Sequence, residues 1–110
     1  MSLPGFEEVI RQAQDFQNRL QKIKDDLARR TVETSVGGGM VRVVANGSGR
    51  IIKIELEPTV VNANEIEMLQ DLVVAGVNQT LDAARHMSTE AIRTLTGNLP
   101  IPPGLESFLS

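Results

Sequence analysis

The sequence predicts an α+β fold: a long N-terminal helix, a three-stranded antiparallel β-meander and a long second helix. They occupy one domain over residues 1–98, followed by a proline-rich tail over 99–110. Three observations predict it. Phe6, Val9, Ala13, Phe16, Leu20, Ile23 and Leu27 recur at spacings of 3, 4, 3, 4, 3 and 4, an unbroken seven-residue helical repeat. Short β-rich runs follow, separated by glycine-containing turns. Beyond them Ile66, Leu69, Val73, Gly76, Thr80, Ala84, Met87 and Ala91 recur at about 3.6 residues, the period of a straight helix.

Helix 1 is expected over Phe6–Arg30, opened by Pro4 and Gly5 and filled with good helix formers. The meander takes Thr31–Val36, a turn at Gly37–Gly39, Met40–Ala45, and a hairpin turn at Asn46–Gly49. In the third strand Ile52, Ile54 and Leu56 alternate with Lys53, Glu55 and Glu57 until Pro58 ends it. The connections are short, so the strands pair antiparallel with one wet face. Helix 2 is expected from Asn64, which has the capping-box offset to Glu67, as far as Thr96-Gly97-Asn98. Its first half, "MLQDLVVAGVNQTL", is apolar around much of its girth, and its second half thins to a narrow stripe. The tail "LPIPPGLESFLS" is too rich in proline for regular structure and is expected either to be mobile or to dock through Leu105 and Phe108.

Both helices are long for a chain of 110 residues. A compact domain of this size is about 34 Å across, whereas helix 1 would be about 37 Å long and helix 2 about 45 Å. A three-stranded sheet also leaves two edges and an apolar face open. A homodimer answers both problems, with the contact through the sheet and early helix 2. That nominates Ile52, Ile54, Leu56, Leu69, Leu72, Val73 and Gly76. Gly76 costs about 1 kcal/mol relative to alanine in a helix interior, so a close backbone approach is expected there.

Composition narrows the chemistry. The chain has no cysteine and one histidine, His86, so a His/Cys metal cluster is impossible. The absence of cysteine fits a reducing cytoplasm. The glycine turn is followed by a strand and no GK[ST], so it is not a phosphate loop. The longest apolar run, Leu72–Val77, is too short to span a membrane, and the N-terminal residues do not resemble a signal peptide. No catalytic constellation emerges, and neither a cofactor nor a small-molecule substrate is expected.

Charge is distributed unevenly. The formal net charge is −3, yet residues 1–30 hold six cations against five anions, and residues 61–110 hold two against six. Arg11, Arg19, Lys22, Lys24 and Arg29 lie off the apolar seam of helix 1, and Arg30 takes its next position. Asp15 with Arg19, Asp25 with Arg29 and Asp26 with Arg30 have the spacing of i, i+4 ion pairs. One reading of this helix is therefore a salt-bridged, solvated face. A non-enzymatic protein-interaction module, docking through the helix 1 seam and the tail, is the alternative to an anion-binding surface.

"RQAQDFQNRLQKIKDDLA", "VGGGMVRVVANGSGRIIKIELEP", "EMLQDLVVAGVNQTLDAA" and "LPIPPG" together resemble, in order, the YbaB/EbfC family of bacterial nucleoid-associated proteins. The resemblance covers nearly the whole chain. It implies long helices flanking a small antiparallel sheet, a tweezer-like homodimer in the nucleoid, and double-stranded DNA as the partner, met by the helical arms. By the same resemblance Arg11, Arg19, Lys22, Lys24, Arg29 and Arg30 on helix 1, and Arg85, His86 and Arg93 on helix 2, are the expected DNA-binding positions.

Overall fold

The computed structural model describes residues 5–97. The elements follow the expected order: α1 (Phe6–Arg29), β1 (Thr31–Val36), β2 (Val41–Asn46), β3 (Ile51–Leu56) and α2 (Ile66–Thr96), an α+β arrangement. The three strands form one antiparallel sheet in the order β1-β2-β3. Gly37, Gly38 and Gly39 all have positive φ, at 63°, 68° and 92°, the left-handed backbone that removes any Cβ from the β1–β2 turn. Pro4 and the tail lie outside the described residues.

Cross-strand pairing assigns the faces. Thr34 pairs with Val43 and Val36 with Val41, and these in turn pair with Ile54 and Leu56, so their side chains share one face. Across β1 and β2 that face is covered by α2. Val41, Val43 and Ala45 are completely buried there. Gly76 lets α2 lie close: a Cβ on it would be 3.0 Å from a Val43 methyl and 3.5 Å from one of Val36. Within one chain, the close approach at Gly76 is thus to side chains of its own sheet. One turn on, the fully buried Thr80 donates its hydroxyl to the Gly76 carbonyl at 2.7 Å and bonds the Thr34 hydroxyl. This hydrogen-bonded pair keys α2 to β1.

Several boundaries differ from expectation. Met40 belongs to the turn, and Asn46, expected in the hairpin turn, ends β2. A bulge opposite Val44/Ala45 shifts the register in β3. Asn64 does not cap α2. Asn62 caps a 3-10 turn over Ala63–Glu65 by accepting from the Asn64 amide at 3.0 Å, and α2 starts behind it without a side-chain cap. An Asn two residues before an amide forms such a turn directly, and here it displaces the capping box.

The larger difference lies in α1. Only Leu20, Ile23 and Leu27 of its seam are buried or half-buried, whereas Phe6, Val9 and Phe16 are exposed. Helix 1 therefore packs on α2 only along its C-terminal part, and its N-terminal half projects. The described residues extend 74 × 25 × 21 Å with a radius of gyration of 19.9 Å, against about 13 Å for a compact domain of this length.

A candidate nucleic-acid interface along the helical arm

The hairpin between β2 and β3 aims the arm. The Gly47 amide donates to the carbonyls of Leu27 at 2.9 Å and Arg30 at 3.0 Å, satisfying acceptors that a helix end leaves unpaired. The Asn46 amide nitrogen donates to the Ala28 carbonyl at 3.3 Å. Its Oδ1 accepts from the backbone of Ser48 and Arg50 at 3.1 and 3.0 Å. The end of α1 is thus bonded to a turn that is itself internally cross-linked. α2 runs on beyond residue 80 beside α1, with Ala84 and Ile92 buried. The pair forms an arm.

The arm carries all eight of the expected cations. Arg11 pairs with Glu8 at 3.2 Å, Arg19 with Asp15 at 3.1 Å, Arg85 with Asp82 at 3.2 Å and Arg93 with Glu90 at 2.7 Å. Asp25 does not meet Arg29. It accepts from Gln21 at 3.0 Å, and Arg29 approaches Asp26 at 4.0 Å. Arg30 does not meet Asp26 through its side chain, because it already has extended backbone (φ −82°, ψ 148°) and has left the helical register. Among the described residues no carboxylate lies within 4.0 Å of Lys22, Lys24, Arg30 or Arg50.

Two grooves flank α2. One is walled by Lys24 and Leu27 of α1, the Gly47–Gly49 turn, and Leu81, Arg85 and Ser88. The other, on the opposite flank, brings Arg30 and Val32 against His86, Met87 and Glu90. His86 is exposed. Arg50, in the turn beside the first groove, escaped sequence reasoning because "NGSGR" reads only as a hairpin signal.

The wet face of the sheet is internally paired. Glu55 meets Lys53 at 2.6 Å and Arg42 at 3.4 Å. Hydrogen bonding and charge from Lys53, with a smaller contribution from Arg42, hold the Glu55 carboxyl below the usual glutamate range. On the α2 side, β3 is uncovered: Ile52, Ile54 and Leu56 are 55%, 41% and 39% exposed. Leu69, Leu72 and Val73 are half-buried. Val61, Ile66, Met68 and Val74 are exposed as well, and sequence reasoning did not single them out for an interface. No helix of the described residues is long and apolar enough to cross a membrane.

Comparison with known proteins agrees with this architecture. The model of the YbaB/EbfC DNA-binding family matches residues 2–99. A nucleoid-associated protein of Thermoanaerobacter sp. (strain X514) is 45% identical over 94 residues, covering 86% of this chain and 85% of the relative. One of Pelotomaculum thermopropionicum is 41% identical over 98 residues, covering 89% and 93%. The crystal structure of an uncharacterized protein from Helicobacter pylori shares the fold, with a TM-score of 0.66 at 17% identity over 89% of this chain and 96% of that one.

Proposed function

We propose, from the premise that the chain belongs to the YbaB/EbfC DNA-binding family, that it is a non-enzymatic, nucleoid-associated protein of the cytoplasm that grips double-stranded DNA as a homodimer. The projecting arm carries the reading. It exposes Arg11, Arg19, Lys22, Lys24, Arg29, Arg30, Arg85 and Arg93 on a rod that one chain leaves free. Two such rods straddle a duplex and contact phosphates, which fixes position without reading bases. The ion pairs on the arm are solvent-exposed and worth about 0–1 kcal/mol each, so phosphates can replace the carboxylates at little cost.

Dimerisation rests on the bare apolar edge. Ile52, Ile54, Leu56, Val61, Met68 and Val74 are all exposed in one chain, and a two-fold related copy would cover them. Leu69, Leu72 and Val73 border this surface, while Gly76 contributes by seating α2 on its own sheet.

The test is a salt-titrated gel shift with unrelated duplexes. With four to six phosphates neutralised per dimer, log K falls against log salt with a slope of about −4 to −5. An affinity that is flat from low to physiological salt refutes the proposal. The exposed Phe6, Val9, Ile10 and Phe16 favour a second reading, in which α1 docks another protein. A dimer whose mass by light scattering never rises with a short duplex at low salt supports that reading instead.

A further inference from the structure

We propose that the β2–β3 hairpin turn is a third phosphate-binding element, holding the nucleic-acid backbone at the base of the arm together with α1 and α2. The proposal rests on the DNA-binding reading and makes the arm's base, not its tip, the main point of grip. Charge pairing is the first reason. Toward the tip, Arg11 and Arg19 are each matched by an acid on their own helix. Lys22, Lys24, Arg30 and Arg50, which have no such partner among the described residues, belong to the last part of α1, its cap and the hairpin turn.

The groove at that junction is the second reason. Lys24 and Arg85 stand on its two helical walls, Ser48 and Ser88 contribute hydroxyl donors, and Leu27 and Leu81 supply an apolar lining. Two cations and two hydroxyls suit a phosphodiester oxygen pair, because charge-assisted hydrogen bonds are the strong ones. Arg85 is shared with Asp82, but that pair is exposed on both sides and yields to a phosphate. Gly47 and Gly49 keep the turn side of the groove free of bulk.

Rigidity is the third reason. Asn46 and Gly47 bond the turn to α1 and to itself. The backbone of Ser48 and Arg50 is therefore placed before any ligand arrives, which lowers the ordering cost of binding.

The experiment is fluorescence anisotropy of the full chain with an end-labelled duplex of unrelated sequence, titrated with potassium chloride. Arg50→Ala is expected to flatten the salt slope by about 0.9 per engaged subunit, the value of one lost phosphate contact. Ser48→Asp, which places a carboxylate in the groove, is expected to weaken binding by about tenfold or more. Lys53→Ala, on the wet face of the sheet where Lys53 pairs with Glu55, is expected to change affinity by less than about twofold. Far-ultraviolet circular dichroism and melting temperature confirm that each variant is folded. If Arg50→Ala and Ser48→Asp follow the native salt curve, the hairpin element is refuted while the arms remain the DNA-binding surface. If the native chain binds no duplex at low salt, both proposals fall.

Discussion

Gly47→Ala tests the joint between sheet and arm. Gly47 is not among the glycines with positive φ, so alanine meets no backbone penalty of its own. The cost comes from contact. A Cβ at this position would lie 2.8 Å from the Leu27 carbonyl oxygen, 2.9 Å from a Leu27 methyl and 3.1 Å from its Cβ. A flexible side-chain tip could rotate away, but a helix carbonyl cannot, so the end of α1 must move. Overpacking of this kind costs about 1–3 kcal/mol, and weakening the Gly47 and Asn46 bonds to α1 adds about 1 kcal/mol. The total is about 2–4 kcal/mol, a large share of the 5–15 kcal/mol typical of a domain. At about 4–8 °C per kcal/mol for a chain of this size, melting should fall by about 8–30 °C at fixed protein concentration. Circular dichroism melting measures it. A variant melting within about 2 °C of the native chain would show that α1 is not held by this turn, because even 1 kcal/mol moves the midpoint further.

Three further outcomes are expected. Thr80→Val keeps the volume but strips Thr34 of its partner, so urea unfolding should register a loss of about 1–2 kcal/mol, and an unchanged midpoint would sink the keying role of the pair. Ile54→Glu should halve the mass seen by light scattering from twice 12.0 kDa to 12.0 kDa; a variant that stays paired rules out the β3 edge as the interface. Glu55 has a folded pKa held below its unfolded value, so its pairing stabilises the fold above the ordinary glutamate range and is lost as pH falls through the depressed value. An NMR titration should place its midpoint below the ordinary glutamate range, and Lys53→Ala should raise it. A midpoint at the ordinary glutamate value contradicts the pairing.

The helices and strands were legible because their signals are local. A repeat of 3 and 4 can only be a helix face, and the glycine turn and hairpin signal separate strands whatever surrounds them. What the seam of α1 packs on was not legible. The same repeat runs from Phe6 to Leu27, yet contact with α2 ends near Leu20, because α2 stops and no periodicity in α1 records that. A close approach at Gly76 was legible, but not that the Val43 and Val36 side chains of its own sheet make one, since a helix glycine does not say what comes near. The ion pairs were half legible. Asp15 with Arg19 follows from spacing, whereas Asp26 with Arg30 fails at the helix end, where the i+4 geometry stops. Arg50 carried no signal, as the groove beside its turn forms only where three segments meet.

A chain with more acids than bases can still hold a polyanion if the excess is kept away from the contact. Glu65, Glu67 and Asp71 belong to the start of α2 and the turn before it, at the sheet end of the molecule. Along α2, Asp71 and Arg85 are separated by about 21 Å of helix, more than two screening lengths of about 8 Å at physiological ionic strength. Those acids repel DNA weakly at the groove and strongly only near themselves. Within the arm Glu8 pairs with Arg11, Asp15 with Arg19 and Asp82 with Arg85, and Asp25 accepts from Gln21. The cations without such partners then weigh most in the local field, with Lys24 on the groove where α1 meets the hairpin and Arg30 on the groove of the opposite flank. The direction of the arm and the groove at its base have one cause: the turn that bonds to the carbonyls of Leu27, Ala28 and Arg30 sets Ser48 and Gly49 across the groove from Lys24 and Arg85.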